Sequence, residues 1–144
     1  MIGFIQRLLG GKPAKEKQNL IAFTMIGTND LAKATAFYDA LIGEMGGKRA
    51  VDLGDAVLYA GPDGGPLFAV TEPADKNPAT VGNGAMIALA APDDASIDRW
   101  HAKAVSLGAA DGGAPGARER GPLKFYAAYF RDLDGNKLNF FRLY

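Results

Sequence analysis

Residues 20–47 read LIAFTMIGTNDLAKATAFYDALIGEMGG, a strand, a turn and a helix in that order. The apolar run at 20–26 suits a strand, and Gly27, Thr28 and Asn29 then offer a cap for a helix beginning near Asp30. Leu31, Ala34, Tyr38, Leu41, Ile42 and Met45 recur at helical steps, which puts them on one buried face, and Gly46-Gly47 ends the pattern. Three short strands are expected next, around 48–52, 56–60 and 66–71, separated by Gly-Asp and Gly-Pro-Asp-Gly-Gly turn signals. The first half therefore reads βαβββ.

The pattern then starts again. Residues 72–83 hold two prolines and almost nothing apolar, so they read as a connector. A strand is expected at 85–91, and Pro92-Asp93-Asp94 opens a helix that turns Ile97, Trp100, His101, Ala104 and Val105 inward before Gly108. The stretch 111–122, rich in glycine and arginine, reads as a loop; strands at 124–131 and 137–143 follow, joined by a turn at 132–135. The second half is thus βαβββ, or βαββ with a loose extra strand. Phe23 and Met86 hold the same place in the first strand of each half, and Asp63-Gly64 answers to Asp134-Gly135. The expected class is α+β: two paired βαβββ modules, at 19–72 and 84–144, forming one cupped mixed sheet with helices outside. The trough is where a ligand would lie.

Composition narrows the chemistry. The 144 residues carry 16 Lys+Arg against 16 Asp+Glu, a formal net charge of zero, which argues against nucleic acid as a partner. With no cysteine and one histidine, thiol chemistry and zinc ribbons are excluded. No apolar stretch reaches the roughly 20 residues of a membrane span, and the opening MIGFIQRLL lacks the order of a secretory signal, so a cytoplasmic protein is expected. Residues 1–18 read as an extension with a short amphipathic helix that packs on its own domain, frays, or docks on a partner; membrane contact is not the favoured reading.

Two motifs carry a family resemblance. Ile26 to Leu31 with Ala36 to Gly43, and the tail Tyr129 to Leu138 containing Asp132-Leu133-Asp134-Gly135, resemble the opening and closing signatures of the vicinal oxygen chelate superfamily. That superfamily comprises glyoxalase I, extradiol dioxygenases and bleomycin resistance proteins. The resemblance spans about residues 20–144, and it implies paired βαβββ modules, a homodimer and a divalent metal held in the cup. By motif register, the metal-ligand positions fall on Phe23, on Phe68 (or Ala69 if the register slips by one), on Met86 and on Asn139. Phenyl rings, a thioether and one neutral amide do not hold a hard cation, so these departures from the family pattern point to a metal-free cup with no cofactor.

Period-two geometry adds Ile21, Met25, Val70, Ala88 and Phe141 to the trough. Tyr129 matches a tyrosine that the resembled dioxygenases use as an acid or hydrogen-bond donor. It is either one of a polar pair with Asn139 or a core aromatic. The candidate ligand-binding set is Phe23, Met25, Phe68, Met86, Tyr129, Asn139 and Phe141, with no metal ligand. His101 lies mid-helix on the side away from the cup, and the Asp132–Gly135 turn lacks the remaining ligands of a calcium loop. Arg118, Arg120 and Lys124 could draw an anion, with a solvated loop as the plainer reading. The expected function is binding of a hydrophobic or aromatic small molecule in the manner of bleomycin resistance proteins. A lyase or dioxygenase-like enzyme, or an interaction module using the N-terminal helix, is the alternative.

Overall fold

Asp30 ends the first strand–turn and starts the first helix: its side chain accepts the backbone N–H of Lys33 at 3.1 Å, while its own N–H donates to Thr28 Oγ1 at 3.1 Å. The computed structural model describes residues 18–144. The expected N-terminal helix within 1–18 lies outside the described residues, apart from Gln18.

The first unit is β1 (Phe23–Gly27), α1 (Leu31–Glu44), β2 (Lys48–Asp52), β3 (Ala56–Ala60) and β4 (Leu67–Thr71). Its sheet has the order β1-β4-β3-β2, with β1 and β4 parallel and the other pairs antiparallel. Gly47 makes the turn from α1 into β2 possible, because a Cβ there would lie 2.5 Å from the Ala60 carbonyl oxygen. Tyr38 of α1 packs its ring 5.0 Å from Phe68 and 6.4 Å from Tyr59, so the core of this unit sits between helix and sheet.

The second unit repeats that order with β5 (Ile87–Ala90), α2 (Asp94–Ser106), β6 (Ala110–Arg120), β7 (Leu123–Arg131) and β8 (Lys137–Leu143). Its sheet runs β5-β8-β7-β6, again with the first and last strands parallel. Asp93 caps α2 by accepting the Ser96 N–H at 2.7 Å, and Trp100 of that helix meets Phe140 edge-on at 5.7 Å. The chain divides between Asn77 and Pro78, within the connector. Among the described residues no helix is long and apolar enough to cross a membrane.

Two expectations are corrected. The stretch from 111 is a strand, not a loop: β6 runs eleven residues and pairs with β7 through two register shifts, between Asp111 and Gly113 and between Gly113 and Gly116. Its glycines hid it, because they carry no apolar alternation, yet they let the backbone lie close to Tyr129; a Cβ on Gly113 would come within 3.2 Å of that ring. Val105 points outward and is exposed, since the buried stripe of α2 follows Ile97, Trp100, His101 and Ala104.

Candidate functional site

Strand pairing decides which side chains share a face. In the first sheet, Phe23 pairs with Leu67 and Met25 with Ala69, while Phe68 pairs with Tyr59 and Val70 with Val57. Aligned residues point the same way and neighbours point oppositely. Phe68 and Val70 therefore lie on the helix side, buried in the core. Phe23 and Met25 lie on the side away from α1, with 48% and 49% of their surfaces exposed. This corrects the placement of Phe68, and of Val70, in the trough. Ala69 is the residue in phase with Phe23 and Met25. The chemistry of β4 explains the slip: Leu67, Phe68, Ala69 and Val70 are all buried, so no alternation marks its faces. Ile21 is exposed and precedes β1.

In the second sheet, Tyr129 pairs with Asn139, Asn139 with Ala88, Ala127 with Phe141, and Phe141 with Ala90. These side chains share the helix-free face, opposite the one that Phe140, Leu138 and Phe130 present to the core. Met86 lies just before β5, two residues from Ala88, and is 44% exposed. Phe125 and Phe141 sit ring to ring at 5.1 Å on this same face. The structure thus brings Tyr129, Asn139 and Phe141 together, with Met86 at the margin.

Asn139 is the outlier in this group. It is 1% exposed, and its Oδ1 is buried with no hydrogen-bond partner among the described residues. A buried amide oxygen left unpaired costs on the order of 1–3 kcal/mol, which native interiors seldom tolerate without a reason. Beside it, the Tyr129 ring lies 5.0 Å from the Arg118 guanidinium carbon and 5.8 Å from Lys137 Nζ. Sequence reasoning left Arg118 in a solvated loop and passed over Lys137. The even-offset rule from Asn139 would have found Lys137; Arg118 needed β6 to be recognised as a strand.

His101 has a structural post. Its Nε2 lies 3.1 Å from Asp111 Oδ1 and 3.2 Å from the Tyr129 carbonyl oxygen, linking α2 to β6 and β7 behind the sheet. The Asp111 carboxyl is held below the usual carboxylate range, first by the Gly113 N–H and also by His101. Asp132 likewise serves its turn, accepting from the N–H groups of Asp134 and Asn136 at 2.9 Å each.

A divalent metal does not fit these residues. With the register corrected, the positions in the first unit are Phe23 and Ala69, which offer no donor, and those in the second are Met86 and Asn139, which offer a thioether and one neutral oxygen. Among the described residues no group of three His, Cys, Asp or Glu side chains is placed to hold an ion.

Comparison with known proteins agrees with this architecture. The profile of the Glyoxalase/Bleomycin resistance protein/Dioxygenase superfamily matches residues 20–140. A crystal structure of a glyoxalase/bleomycin resistance protein from Albidiferax ferrireducens T118 is 35% identical with a TM-score of 0.78, covering 85% of this chain and 98% of its own. A hypothetical protein from S. aureus is 25% identical with a TM-score of 0.65, covering 96% of this chain and 98% of its own. A lactoylglutathione lyase from Agrobacterium tumefaciens shares the fold at 22% identity and a TM-score of 0.61, covering 87% of this chain and 94% of its own. None of the curated proteins matches. Twin βαβββ units, the two signature motifs and the match over residues 20–140 place the chain in the glyoxalase/bleomycin resistance protein/dioxygenase superfamily.

Proposed function

We propose that this protein binds a hydrophobic or aromatic small molecule on its helix-free sheet surface, without a metal. The observation that carries the reading is the Asn139 Oδ1, which has no partner among the described residues and is buried beside Tyr129 and Phe141 on the face that α2 leaves free. A ligand N–H or O–H would satisfy that oxygen once the side chains that cover it move aside, and the Tyr129 hydroxyl would give a second point of orientation. Affinity would come chiefly from apolar area removed from water, at roughly 25 cal/mol per Å². Exposed Phe23 and Met25 give the first sheet an apolar surface of its own.

The test uses N-phenyl-1-naphthylamine, a neutral aromatic amine whose fluorescence rises on leaving water. Wild-type protein is expected to bind it saturably, and Asn139→Ala and Tyr129→Phe to weaken binding while the melting temperature holds. Failure to bind, or loss of folding in place of loss of binding, overturns the reading and returns both residues to the core. The reading includes a homodimer, which sedimentation equilibrium would check, and a cytoplasmic location.

A further inference from the structure

The strands of the second sheet sort their charges by face. Arg118 pairs with Phe125, Arg120 with Leu123 and Arg131 with Lys137, so all four cations share the helix-free face with Tyr129 and Asn139. The only carboxylates in these strands, Asp111 and Glu119, pair with Phe130 and Lys124 and so lie on the helix side. Asp111 meets His101 there, and Glu119 approaches Lys124 at 4.0 Å. Among the described residues no carboxylate forms an ion pair with Arg118, Arg131 or Lys137.

Arg118 is the most firmly placed of these cations. Its guanidinium donates to the Ala114 carbonyl at 2.7 Å, to Gly116 at 2.9 Å and to Ala127. Three neutral acceptors fix its position without cancelling its charge, and among the described residues its remaining N–H donors have no partner. It reaches Tyr129 from β6, while Lys137 reaches the same ring from β8 on the other side of β7. Two cations are thus held about one aromatic ring, beside a buried amide oxygen that lacks a donor among the described residues. Like charges gathered without a counter-charge repel one another, and a bound anion relieves that repulsion.

We infer that Arg118 and Lys137 form an anion subsite beside Tyr129, so that the ligand is an aromatic or otherwise apolar acid: an apolar body, one carboxylate or sulfonate, and an N–H or O–H for Asn139. This rests on the reading that the helix-free face takes a small molecule, and it narrows the class of that molecule. The apolar body lies toward Phe141, and the anion at the cationic groups that flank the Tyr129 ring.

A matched pair of probes separates the two claims. 1-Anilinonaphthalene-8-sulfonate and N-phenyl-1-naphthylamine share the same apolar body and N–H, and only the first carries an anion. The wild-type chain is expected to bind the sulfonate at least about tenfold more tightly, with the preference shrinking as salt rises. Lys137→Met should cut the sulfonate's affinity about fivefold and leave the neutral amine's unchanged. Arg118→Lys tests the second cation while keeping its charge: loss of the planar fork should weaken sulfonate binding without affecting the neutral probe. Equal binding of both probes, or a sulfonate preference that survives both substitutions, overturns the subsite and leaves small-molecule binding standing. Binding of neither probe overturns both.

Discussion

The Tyr59 hydroxyl donates to the Asp39 carboxylate at 2.8 Å, tying β3 to α1 in the first unit. Arg49 of β2 completes the group, its Nε and Nη2 donating to the two oxygens of Asp39 at 2.7 and 2.8 Å. The Arg49 hydrogen bonds foremost, opposed in part by burial and aided by Tyr59, hold the Asp39 carboxyl below its usual range. A carboxylate with a lowered folded pKa stabilises fully above its unfolded pKa, near 4, and loses that contribution as pH falls through the lower folded value. Asp39→Asn should therefore cost stability at pH 7, and the gap to wild type should close as pH drops below about 4. Because the Arg49 and Asp39 side chains are 37% and 43% exposed, the cost is set at about 1 kcal/mol. Urea unfolding midpoints across that range check it. A gap that stays constant with pH would show that the charge of Asp39 does not contribute.

Phe68 and Phe23 should lose very different amounts of stability on truncation, because they lie on opposite faces of one sheet. Phe68 is buried against Tyr38, so Phe68→Ala is expected to lower stability by about 3–5 kcal/mol. Phe23 is half exposed, and Phe23→Ala should cost about 1 kcal/mol or less. Thermal melts of the two variants decide it, and similar losses would contradict the face assignment.

How far the sequence reveals this molecule depends on where its chemistry alternates. In α1 and α2 the helical periodicity marks both elements, although the cap of α1 is Asp30 and not the expected Gly27, Thr28 or Asn29, and β2, β3 and β8 are bounded by turn residues that show in the sequence. β4 is apolar on both faces, so pairing with β1, a long-range event, was needed to separate Phe68 from Ala69. β6 was hidden because its glycines satisfy a close approach to Tyr129 instead of a local preference. The pairing of Tyr129 with Asn139 across the last hairpin was legible from the turn at Asp132–Gly135. The unpaired state of the Asn139 oxygen was not, because it depends on what every neighbouring strand fails to offer.

His101 anchors α2 to the strand that carries Tyr129. His101→Ala would leave a cavity and strand the Tyr129 carbonyl and Asp111 without their shared partner, at an expected cost of about 2 kcal/mol. The loss should be accompanied by faster amide exchange in β6, which His101 holds through Asp111. Full stability in the variant, with probe binding lost, would instead move His101 into the site.

Divalent cations should not stabilise the protein. Phe23, Ala69, Met86 and Asn139 supply one neutral donor, and a ligand raises the melting temperature only where it binds the native state selectively. Melts with excess manganese, nickel, zinc and iron(II) are expected to match the metal-free curve. A rise of several degrees with any one of them would restore the superfamily's metal chemistry to this chain and displace the metal-free reading.

Asn139→Val separates a residue kept for folding from one kept for binding. Valine suits a strand and brings no unsatisfied oxygen, so removing the orphaned amide should leave the melting temperature unchanged or raise it, by up to about 1 kcal/mol in stability. The same change removes the acceptor offered to a ligand, and binding of both naphthyl probes should fall by about tenfold. Higher stability with weaker binding is the signature of a polar group whose partner is a ligand. Were Asn139→Val instead to destabilise the fold by several kcal/mol, the amide would be a structural element, and the conclusion drawn from its unpaired oxygen would fail.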